Sequence, residues 1–530
     1  MKKHLALTIA PVVQTILSAR HTRELWAASY LFSYLMKKTL ATLRLEANRK
    51  FIIPFTADDA FFQSYDENNA QKKEGYEKHL LGAGLFTDRI ILESNSTEDF
   101  DDLAHVRGVV CDVIKEFSLK TAGFLKKDKS EVEKWFFQFF SIQLAEQELQ
   151  EGENPIEALS TTINCMELQA GFPQTEHSFL TDLLERSPGS FLAEEAYGKG
   201  NKHRFETLLE VATRDFEGDV ALIDFKSNRE DFWSLSKKQR EEAEALDEKA
   251  IINTLQEKHG DSFRPAHRYV AVVHADGDQI GTIIKNLDNQ GAFAEFSKTL
   301  KLFALDAVQE INDYGGVPVY AGGDDLLFFA PVVRDEFGNI FTLLERLNAR
   351  MKAHFEPKNF AVVPTLSFGV AITFYKFPLF EALEASRNLL FDVAKRYDPR
   401  NAIAFSVRKH SGHEFSALLP GNGEIYEQFS AMLGSTVKNP GRLLSSINYH
   451  VRDNEKIYEI IGNNAAQVEN FIDNCFNEAV HDEDETKAYL TEVKKMLPEA
   501  FALNGGDSKK AAKTIYALLR IADFLTDNPS

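Results

Sequence analysis

Four aspartates stand where two divalent metal ions could be held. Asp276 and Asp278 follow an apolar run, and Asp324 and Asp325 lie later in the chain, between two further apolar runs. Mg²⁺ and Mn²⁺ prefer carboxylate oxygens, and two such ions roughly 3.5–4 Å apart stabilise the attacking and leaving oxygens of a phosphoryl transfer. We therefore expect these four residues to bind two ions, with Asp276, Asp324 and Asp325 as the catalytic residues.

Glycines accompany these aspartates. Gly277 separates the first pair, and Gly322 and Gly323 precede the second. Glycine permits turns with positive φ and lets a triphosphate approach the backbone, so we expect all three to lie against a nucleotide. Lys395 is a candidate to clamp the triphosphate, although a lysine near a helix end is commonly only a surface residue. The alternative for the whole motif is a polar hairpin, since Gly and Asp are the commonest turn residues.

The elements around these residues follow a regular order. The run 269–275 predicts a buried strand because it is continuous and rich in β-branched residues. Apolar residues at steps of three and four predict helices from Phe293 to Ile311 and from Ile340 to Phe355. Further strands are predicted at 317–321, 326–330 and 365–374, followed by a helix at 379–396 and a strand at 402–407. The first six elements form a β-α-β-β-α-β unit, in which the first strand and the hairpin are neighbours, so the aspartates should converge.

The same order is predicted at the start of the chain. Strands are expected at 4–10, 51–55, 85–93 and 135–146, and helices at 12–47 and 97–120. Asp58 and Asp59 follow the second strand, but Ala10 and Pro11 stand where a carboxylate would follow the first. We therefore predict a degenerate unit that holds an acceptor nucleotide or a cofactor and does not catalyse.

The expected fold class is α+β, with two ferredoxin-like (palm) domains. The predicted divisions are a first palm (1–150), a mainly helical linking domain (151–262), a second, catalytic palm (263–412) and a C-terminal helical domain (413–530). A chain of 530 residues is too long for a single core. The charged stretch 228–259 predicts a bridging helix with a solvated face.

Composition favours a cytoplasmic protein. The net charge of −20 argues against a protein that grips nucleic acid over most of its surface, but not against a local basic groove or RNA carried by other subunits. Cys111, Cys165 and Cys475 have no CxxC spacing, which excludes a disulfide framework and a zinc ribbon. No run of 18 apolar residues exists, so we expect no contact with a membrane.

Several segments resemble a known family. The segments YVAVVHADGDQIGTIIK, YAGGDDLLFF and PTLSFGVAITFYKFPLFEALEASRNLLFDVAK resemble the second palm of the large subunit of type III CRISPR effector complexes. The segment APVVQTILSARHTRELWAASYLFSYLM resembles the opening of the first palm in the Cmr (type III-B) branch. Together the motifs cover most of 1–60 and 263–412.

The resemblance implies an RNA-guided antiviral function. In that family the second palm converts ATP into signalling nucleotides when the complex has captured target RNA, so the implied partners are other Cmr subunits, CRISPR RNA and target RNA. It implies that Asp276, Asp324 and Asp325 bind the metals and that Lys395 contacts phosphate. Ser29 matches a serine that lies beside the second ATP.

The chain departs from the family in two places. Many members begin with an HD nuclease domain, whereas this sequence opens at the first palm strand, and we interpret His481-Asp482 as incidental. Many also carry a four-cysteine zinc site between the palms, where this chain has only Cys165. Cleavage of single-stranded DNA is therefore not expected.

The acceptor of AMP stays open at this stage. Another ATP would give cyclic oligoadenylates, and S-adenosylmethionine would give an AMP conjugate. If the acceptor is S-adenosylmethionine, the helix with Arg23, Trp26 and Ser29 could form one wall of its binding site. Alternatively, Trp26 could be a core residue and Arg23 could form an ion pair with an acidic neighbour.

Two other functions remain as alternatives. A diguanylate cyclase would share the palm, but it has an acidic residue and then Phe after the aspartate, where this chain has Asp325-Leu326. A non-catalytic scaffold would have no need for three converging carboxylates.

Overall fold

The protein is described from a computed structural model. It covers residues 2–57, 62, 82–167, 178–198, 205–229, 232–433, 464–475 and 484–526, together with residues 457, 460 and 461. No helix in this part of the chain combines the length and apolarity that crossing a membrane requires.

The first domain is a four-stranded antiparallel sheet with helices packed on it. Its elements are β1 (Lys2–Ala10), α1 (Val12–Leu17), α2 (Thr22–Leu43), β2 (Phe51–Ile53), β3 (Arg89–Glu93), α3 (Asp102–Leu125), α4 (Lys129–Phe139) and β4 (Ser141–Leu149). The strand order is β2-β3-β1-β4, so β1 is central and pairs with both β3 and β4. This is the predicted ferredoxin-like arrangement.

Two sequence predictions in this domain were wrong in detail. The single helix expected at 12–47 is two helices, separated at residues 18–21. The strand expected at 135–146 begins only at Ser141, because residues 135–139 end helix α4. Asp128 caps that helix by accepting from the backbone N–H groups of Ser130 and Glu131. The buried residues of this helix, which recur at helical spacing, are Val132, Trp135, Phe136 and Phe139. The strand was predicted because a short apolar run of this kind fits a strand equally well.

Helices alone connect the two sheets within the described residues. They are α5 (Pro155–Glu167), α6 (Phe179–Glu185), α7 (Phe191–Tyr197), α8 (Leu208–Ala212), α9 (Glu217–Val220) and α10 (Lys237–His259). Short 3₁₀ turns lie at Ser187–Gly189, Arg214–Phe216, Lys226–Asn228, Phe232–Ser234, Gly260–Ser262 and Pro265–Arg268. The bridging helix predicted from 228 therefore begins at Lys237, where Ser236 and Gln239 form a capping box.

The second domain contains the six-stranded sheet. Its elements are β5 (Tyr269–Gly277), α11 (Ile280–Lys285), α12 (Gln290–Tyr314), β6 (Val317–Ala321), β7 (Leu326–Pro331), β8 (Val333–Arg334), β9 (Gly338–Asn339), α13 (Ile340–Phe355), β10 (Leu366–Phe374), α14 (Leu379–Asn388), β11 (Ala402–Arg408) and β12 (Glu414–Pro420). The order is β12-β11-β10-β5-β7-β6. The four strands β10-β5-β7-β6 repeat the arrangement of the first sheet, and β11 extends it in parallel to β10.

Two predictions for the later part of the chain were also wrong in detail. The helix expected at 379–396 ends at Asn388 and continues as a π turn (Leu389–Val393) and a 3₁₀ turn (Ala394–Arg396). Residues 414–420, expected to be helical, form the edge strand β12, in which buried Phe415 alternates with exposed Glu414 and Ser416. The second sheet therefore reaches Pro420, beyond the predicted boundary at 412.

The remaining described residues are helical. They form α15 (Glu424–Leu433), α16 (Ala465–Cys475), α17 (Asp484–Leu503) and α18 (Ser508–Thr526). Helix α18 packs against β12.

The two sheets are joined through the edge strand β6. The backbone N–H of Gly84 donates to Val319 O (3.3 Å), and the N–H of Ala321 donates to Gly84 O (3.0 Å). The Ser29 hydroxyl also donates to Val319 O, at 3.1 Å. The segment at Gly84 thus forms a parallel bridge to β6, next to the glycine–aspartate turn.

Candidate functional site

Three of the predicted aspartates lie together at one end of the second sheet. Ala275 of β5 is opposite Leu326 of β7, which brings Asp276 next to the turn that carries Asp324 and Asp325. A Cβ atom added to Gly277 would lie 2.7 Å from Cβ of Asp324, so the strand end and the turn are in contact. The convergence expected from the β-α-β-β-α-β order is therefore seen in the structure.

The environment of Asp324 and Asp325 opposes the ionisation of their carboxyl groups. Enclosure by protein raises the pKa of Asp324 to about 7, and the charge of Asp276 acts in the same direction. Enclosure also raises the pKa of Asp325 well above its ordinary value, together with the charges of Asp324 and Asp276 and a hydrogen bond with Asp276. Asp324 is half-buried and Asp325 is exposed, so both remain accessible to water and ions.

Lys395 lies beside Asp276 but is engaged by the protein itself. Its ammonium donates to Asp276 O (2.9 Å), Gly277 O (2.8 Å) and Oδ1 of Asp278 (2.8 Å), and it forms an ion pair with the Asp276 carboxylate. Only 9% of the side chain is exposed. In this arrangement Lys395 fixes the end of β5, whereas the sequence predicted a lysine directed at a triphosphate.

Asp278 does not join the other three aspartates. Its carboxylate is buried, and its oxygens accept from the hydroxyls of Thr365 (2.9 Å) and Ser367 (2.9 Å), the backbone N–H of Asn401 (3.0 Å) and Lys395. A carboxylate with these four partners anchors the loop after β5. The expected role of Asp278 as a metal ligand does not fit this position.

The three glycines are required by the packing of the protein. At Gly323 the φ angle is +101°, which disfavours other residues. A Cβ at Gly277 would collide with Asp324 and Ile280, and one at Gly322 would lie 1.8 Å from the Tyr320 hydroxyl. Gly322 and Gly323 also line the cavity described next, where a ligand could approach them.

A cavity of about 370 Å³ opens beside Asp324 and Asp325. Its walls come from both sheets and from helices α5, α11 and α12, and they combine apolar side chains with several polar groups. The lining residues are Ile53, Pro54, Phe55, Leu85, Thr87, Asp88, Arg89, Ile156, Ser160, Ile280, Ile284, Phe296, Ser297, Leu300, Lys301, Tyr320 and the turn 322–325. Small-molecule sites generally have this composition.

Three charged residues of this cavity, Asp88, Arg89 and Lys301, were not predicted from the sequence. Asp88 precedes β3 of the first domain, and its charge contributes to raising the pKa of Asp325. Lys301 lies on α12, and its ammonium donates to Leu85 O at 2.9 Å. None of the three belongs to a motif, and Asp88 and Arg89 reach the site only because the two domains pack together.

Ser29, Arg23 and Trp26 lie outside this cavity. The Ser29 side chain is buried and bonded to β6. Trp26 stacks on Tyr30 (5.0 Å between ring centroids) and donates to Gly82 O, as a core residue does. Arg23 forms an ion pair with Glu244 at 2.7 Å. These contacts favour packing over a cofactor wall.

Arg23 and Trp26 line two other cavities, of about 450 and 480 Å³, neither of which includes the glycine–aspartate turn. Asp58, Asp59, His481 and Asp482 lie outside the described residues.

Among the described residues, one group of three side chains has possible ligand atoms within 4.8 Å of one another, and it is not that of Asp276, Asp324 and Asp325. Its members are Asp215, His267 and Asp335. However, Asp215 already accepts from Nε of Arg334 (2.9 Å) and from the backbone N–H of Asp335 (3.1 Å). The guanidinium supplies the positive charge there, so we assign this group a structural role. Cys111 and Cys165 are free thiols.

Comparison with known proteins gives matches to both palm domains. A family model described as "Cas10/Cmr2, second palm domain" matches residues 269–404, and one described as "CRISPR-associated protein Cmr2, N-terminal" matches residues 4–122. The Cmr subunit Cmr2 of Pyrococcus furiosus is 26% identical over 266 residues. That alignment covers 43% of this chain and 28% of the relative's length.

Solved structures show the same fold. A chain of the type III-B Cmr-beta complex bound to cognate target RNA matches with a TM-score of 0.58 and 13% identity, over 96% of this chain and 83% of that one. A chain of a Csm1–Csm4 cassette in complex with cA4 matches with a TM-score of 0.51 and 12% identity, over 99% and 70%.

Proposed function

Because the chain belongs to the Cas10/Cmr2 family, the large subunits of type III-B (Cmr) CRISPR complexes, we propose that it transfers AMP from ATP. The family itself was predicted from the two groups of motifs. The observation that carries the proposed activity is the meeting of Asp276 with Asp324 and Asp325, and the latter two stand at the rim of a cavity that both palm domains line.

The residues at this rim fit divalent cations. The pKa of Asp324 is raised to about 7 by enclosure and by the charge of Asp276, so a bound cation would replace protons and relieve the repulsion. Asp276, Asp324 and Asp325 would hold two Mg²⁺ or Mn²⁺ ions, with Asp278 serving instead as an anchor. When bound, the ions would supply charge stabilisation at the transferred phosphate.

The other residues of the site would position the substrates. In the proposed reaction a hydroxyl of the acceptor attacks the α-phosphate of ATP, and pyrophosphate leaves. Lys395 and Asp278 hold the backbone at 276–278, which keeps Asp276 beside Asp324.

The acceptor is either a second ATP, which would give cyclic oligoadenylates, or S-adenosylmethionine, which would give an AMP conjugate. The packing roles of Arg23 and Trp26 remove one argument for the second acceptor. The cA4 in the Csm1–Csm4 cassette is an oligoadenylate bound by a protein of the same fold, which is consistent with the first.

We further propose that the chain works within a complex. The Pyrococcus relative is a Cmr subunit, and the Cmr-beta structure contains target RNA. By analogy the partners are other Cmr subunits, CRISPR RNA and target RNA, and capture of target RNA would activate synthesis of the nucleotide messenger.

The test is to identify the products by mass spectrometry. The assembled complex is incubated with ATP and Mg²⁺, with and without target RNA and with and without S-adenosylmethionine. We expect a product that depends on RNA and is lost in Asp324→Ala/Asp325→Ala, because the pair supplies metal ligands. Glu336→Ala, which changes an exposed carboxylate in another turn, is the matched control and should retain activity. Undiminished synthesis by the double mutant would refute the proposal.

A further inference from the structure

Asn348 is a half-buried polar residue in the middle of helix α13. Asparagine is a weak helix former, so it is expected in a helix interior chiefly where its amide forms specific bonds. The backbone N–H of Leu366 donates to Oδ1 of Asn348 at 3.0 Å, and Nδ2 of Asn348 donates to Oδ1 of Asn401 at 2.9 Å. Because a backbone N–H can only donate, the first bond fixes the orientation of the amide and leaves its NH₂ group facing Asn401. Asn348 therefore ties the start of β10 to the residue that precedes β11.

Asn401 holds the buried carboxylate of Asp278. Its φ angle is +51°, a left-handed conformation that asparagine adopts more readily than most residues, and 7% of its surface is exposed. In this conformation its backbone N–H donates to Oδ2 of Asp278 at 3.0 Å, and its carbonyl accepts from the N–H of Gly421 at 2.6 Å. A Cβ atom added to Gly421 would lie 2.6 Å from Oδ1 of Asn401, so this segment is closely packed. The amide of Asn348 thus fixes a residue whose own backbone holds Asp278.

The same amide reaches the end of β5 by a second route, through β10. Leu366 lies opposite Gly277 in the pairing of β10 with β5. The residue before Leu366 accepts from the backbone N–H of Asp278 through its carbonyl, at 2.7 Å. Both strands that Asn348 joins therefore hold the two residues that follow Asp276. In a site for group transfer, a displacement of about 1 Å can lower the rate about a hundredfold, so this support bears on the chemistry.

We propose that Asn348 is a positioning residue for the transfer of AMP. It holds the starts of β10 and β11, these hold Gly277 and Asp278, and they in turn keep Asp276 where its carboxylate would bind a divalent cation. This inference rests on the proposed function, since it concerns a metal ligand of that reaction. A residue that orients a metal ligand without touching the metal typically changes metal affinity or activity by about 10- to 100-fold when it is replaced.

The experiment compares Asn348→Leu with a matched control, Asn504→Leu. Leucine keeps the branched shape at Cγ and suits a helix, but it can form neither of the two bonds of Asn348. Nδ2 of Asn504 joins α17 to α18 by donating to Ala500 O (2.7 Å) and to Oγ1 of Thr514 (3.1 Å). The control therefore removes a similar amide bridge, but in the C-terminal helices.

Both variants are measured at a temperature at which circular dichroism shows them folded. Binding of Mn²⁺ to the full chain, followed by electron paramagnetic resonance, should weaken about tenfold in Asn348→Leu and stay at the wild-type value in Asn504→Leu. In the assembled complex, kcat for AMP transfer should also fall about tenfold in Asn348→Leu. The KM for ATP should change little, because Asn348, Asn401 and Leu366 do not line the cavity.

Wild-type Mn²⁺ affinity and kcat in folded Asn348→Leu would overturn the inference, because the amide would then serve stability alone. Equal losses in Asn348→Leu and Asn504→Leu would overturn it too, since they would reflect a general loosening of the fold. If Asn348→Leu does not fold, Asn401→Gly decides, because glycine accepts the left-handed backbone and keeps the N–H for Asp278 but offers no acceptor to Asn348. Mn²⁺ affinity should then fall in Asn401→Gly, and a wild-type value would refute the inference. A wild-type complex that neither binds Mn²⁺ nor forms product would refute the proposed function itself, and this inference with it.

Discussion

Replacing Lys395 by methionine should destabilise the second domain. The ammonium holds two backbone carbonyls and the carboxylates of Asp276 and Asp278, of which Asp278 is 1% exposed. Methionine keeps most of the volume but leaves the Asp278 charge without its cation. Removing one partner of a buried ion pair costs about 3–5 kcal/mol. For a domain of about 150–250 residues, this corresponds to a fall in Tm of roughly 6 °C or more.

The assay is thermal unfolding followed by a probe of the second domain, combined with the KM for ATP. Arg396→Met is the matched control, because the adjacent Arg396 forms only an exposed pair with Asp392, and such pairs contribute less than about 1 kcal/mol. The double mutant Lys395→Met/Asp278→Asn should recover part of the loss, since it removes the stranded charge. If Lys395→Met keeps the wild-type Tm and only raises the KM for ATP, the lysine is a phosphate clamp and our assignment of a positioning role is wrong.

Three further outcomes are expected. Asp324→Ala/Asp325→Ala should be at least as stable as the wild-type protein, because it removes mutually repelling carboxylates; a large fall in Tm would contradict this electrostatic account. Because the pKa of Asp324 is about 7 when folded and about 4 when unfolded, the folded state holds more protons between these values. The free energy of unfolding of the metal-free protein should therefore fall as pH rises through this window, and the affinity for Mn²⁺ should rise from pH 6 to pH 8, with both trends reduced in Asp324→Asn. Finally, the complex with Mn²⁺ or Ni²⁺ should not cleave single-stranded DNA; cleavage that disappears in His481→Ala would show that the dipeptide is functional.

The catalytic end of the second sheet could be predicted from the sequence because its determinants are local. The run 269–275 is too rich in β-branched residues for a surface helix, and the turn 322–325 stands between two apolar strands. Once the order of elements is known, the topology alone places Asp276 next to that turn. The helix at residues 135–139 was not predicted, because a short aromatic run has no distinctive period. The Asp128 side chain, which caps the first turn of α4, stabilises the helical conformation there.

The partners of the charged residues could not be predicted, because they depend on contacts between distant segments. Nothing in the sequence indicates that Lys395 forms an ion pair with Asp278. Nor does it indicate that Thr365 and the backbone N–H of Asn401 donate hydrogen bonds to the same carboxylate. Asp88 and Arg89 enter the site because the first domain packs on the second, and the spacing of apolar residues in the sequence does not indicate such a contact.

Because Gly84 bridges to β6, a fragment that lacks the first domain would have an unpaired strand edge. An edge strand displays unpaired N–H and C=O groups, which can template pairing with another molecule. In this protein the backbone of Gly84, in the first domain, bonds to the C=O of Val319 and the N–H of Ala321 on β6. Strand β6 lies beside the fully apolar strand β7. A fragment that begins at residue 263 would expose this edge and should self-associate, so the first palm protects the second from aggregation.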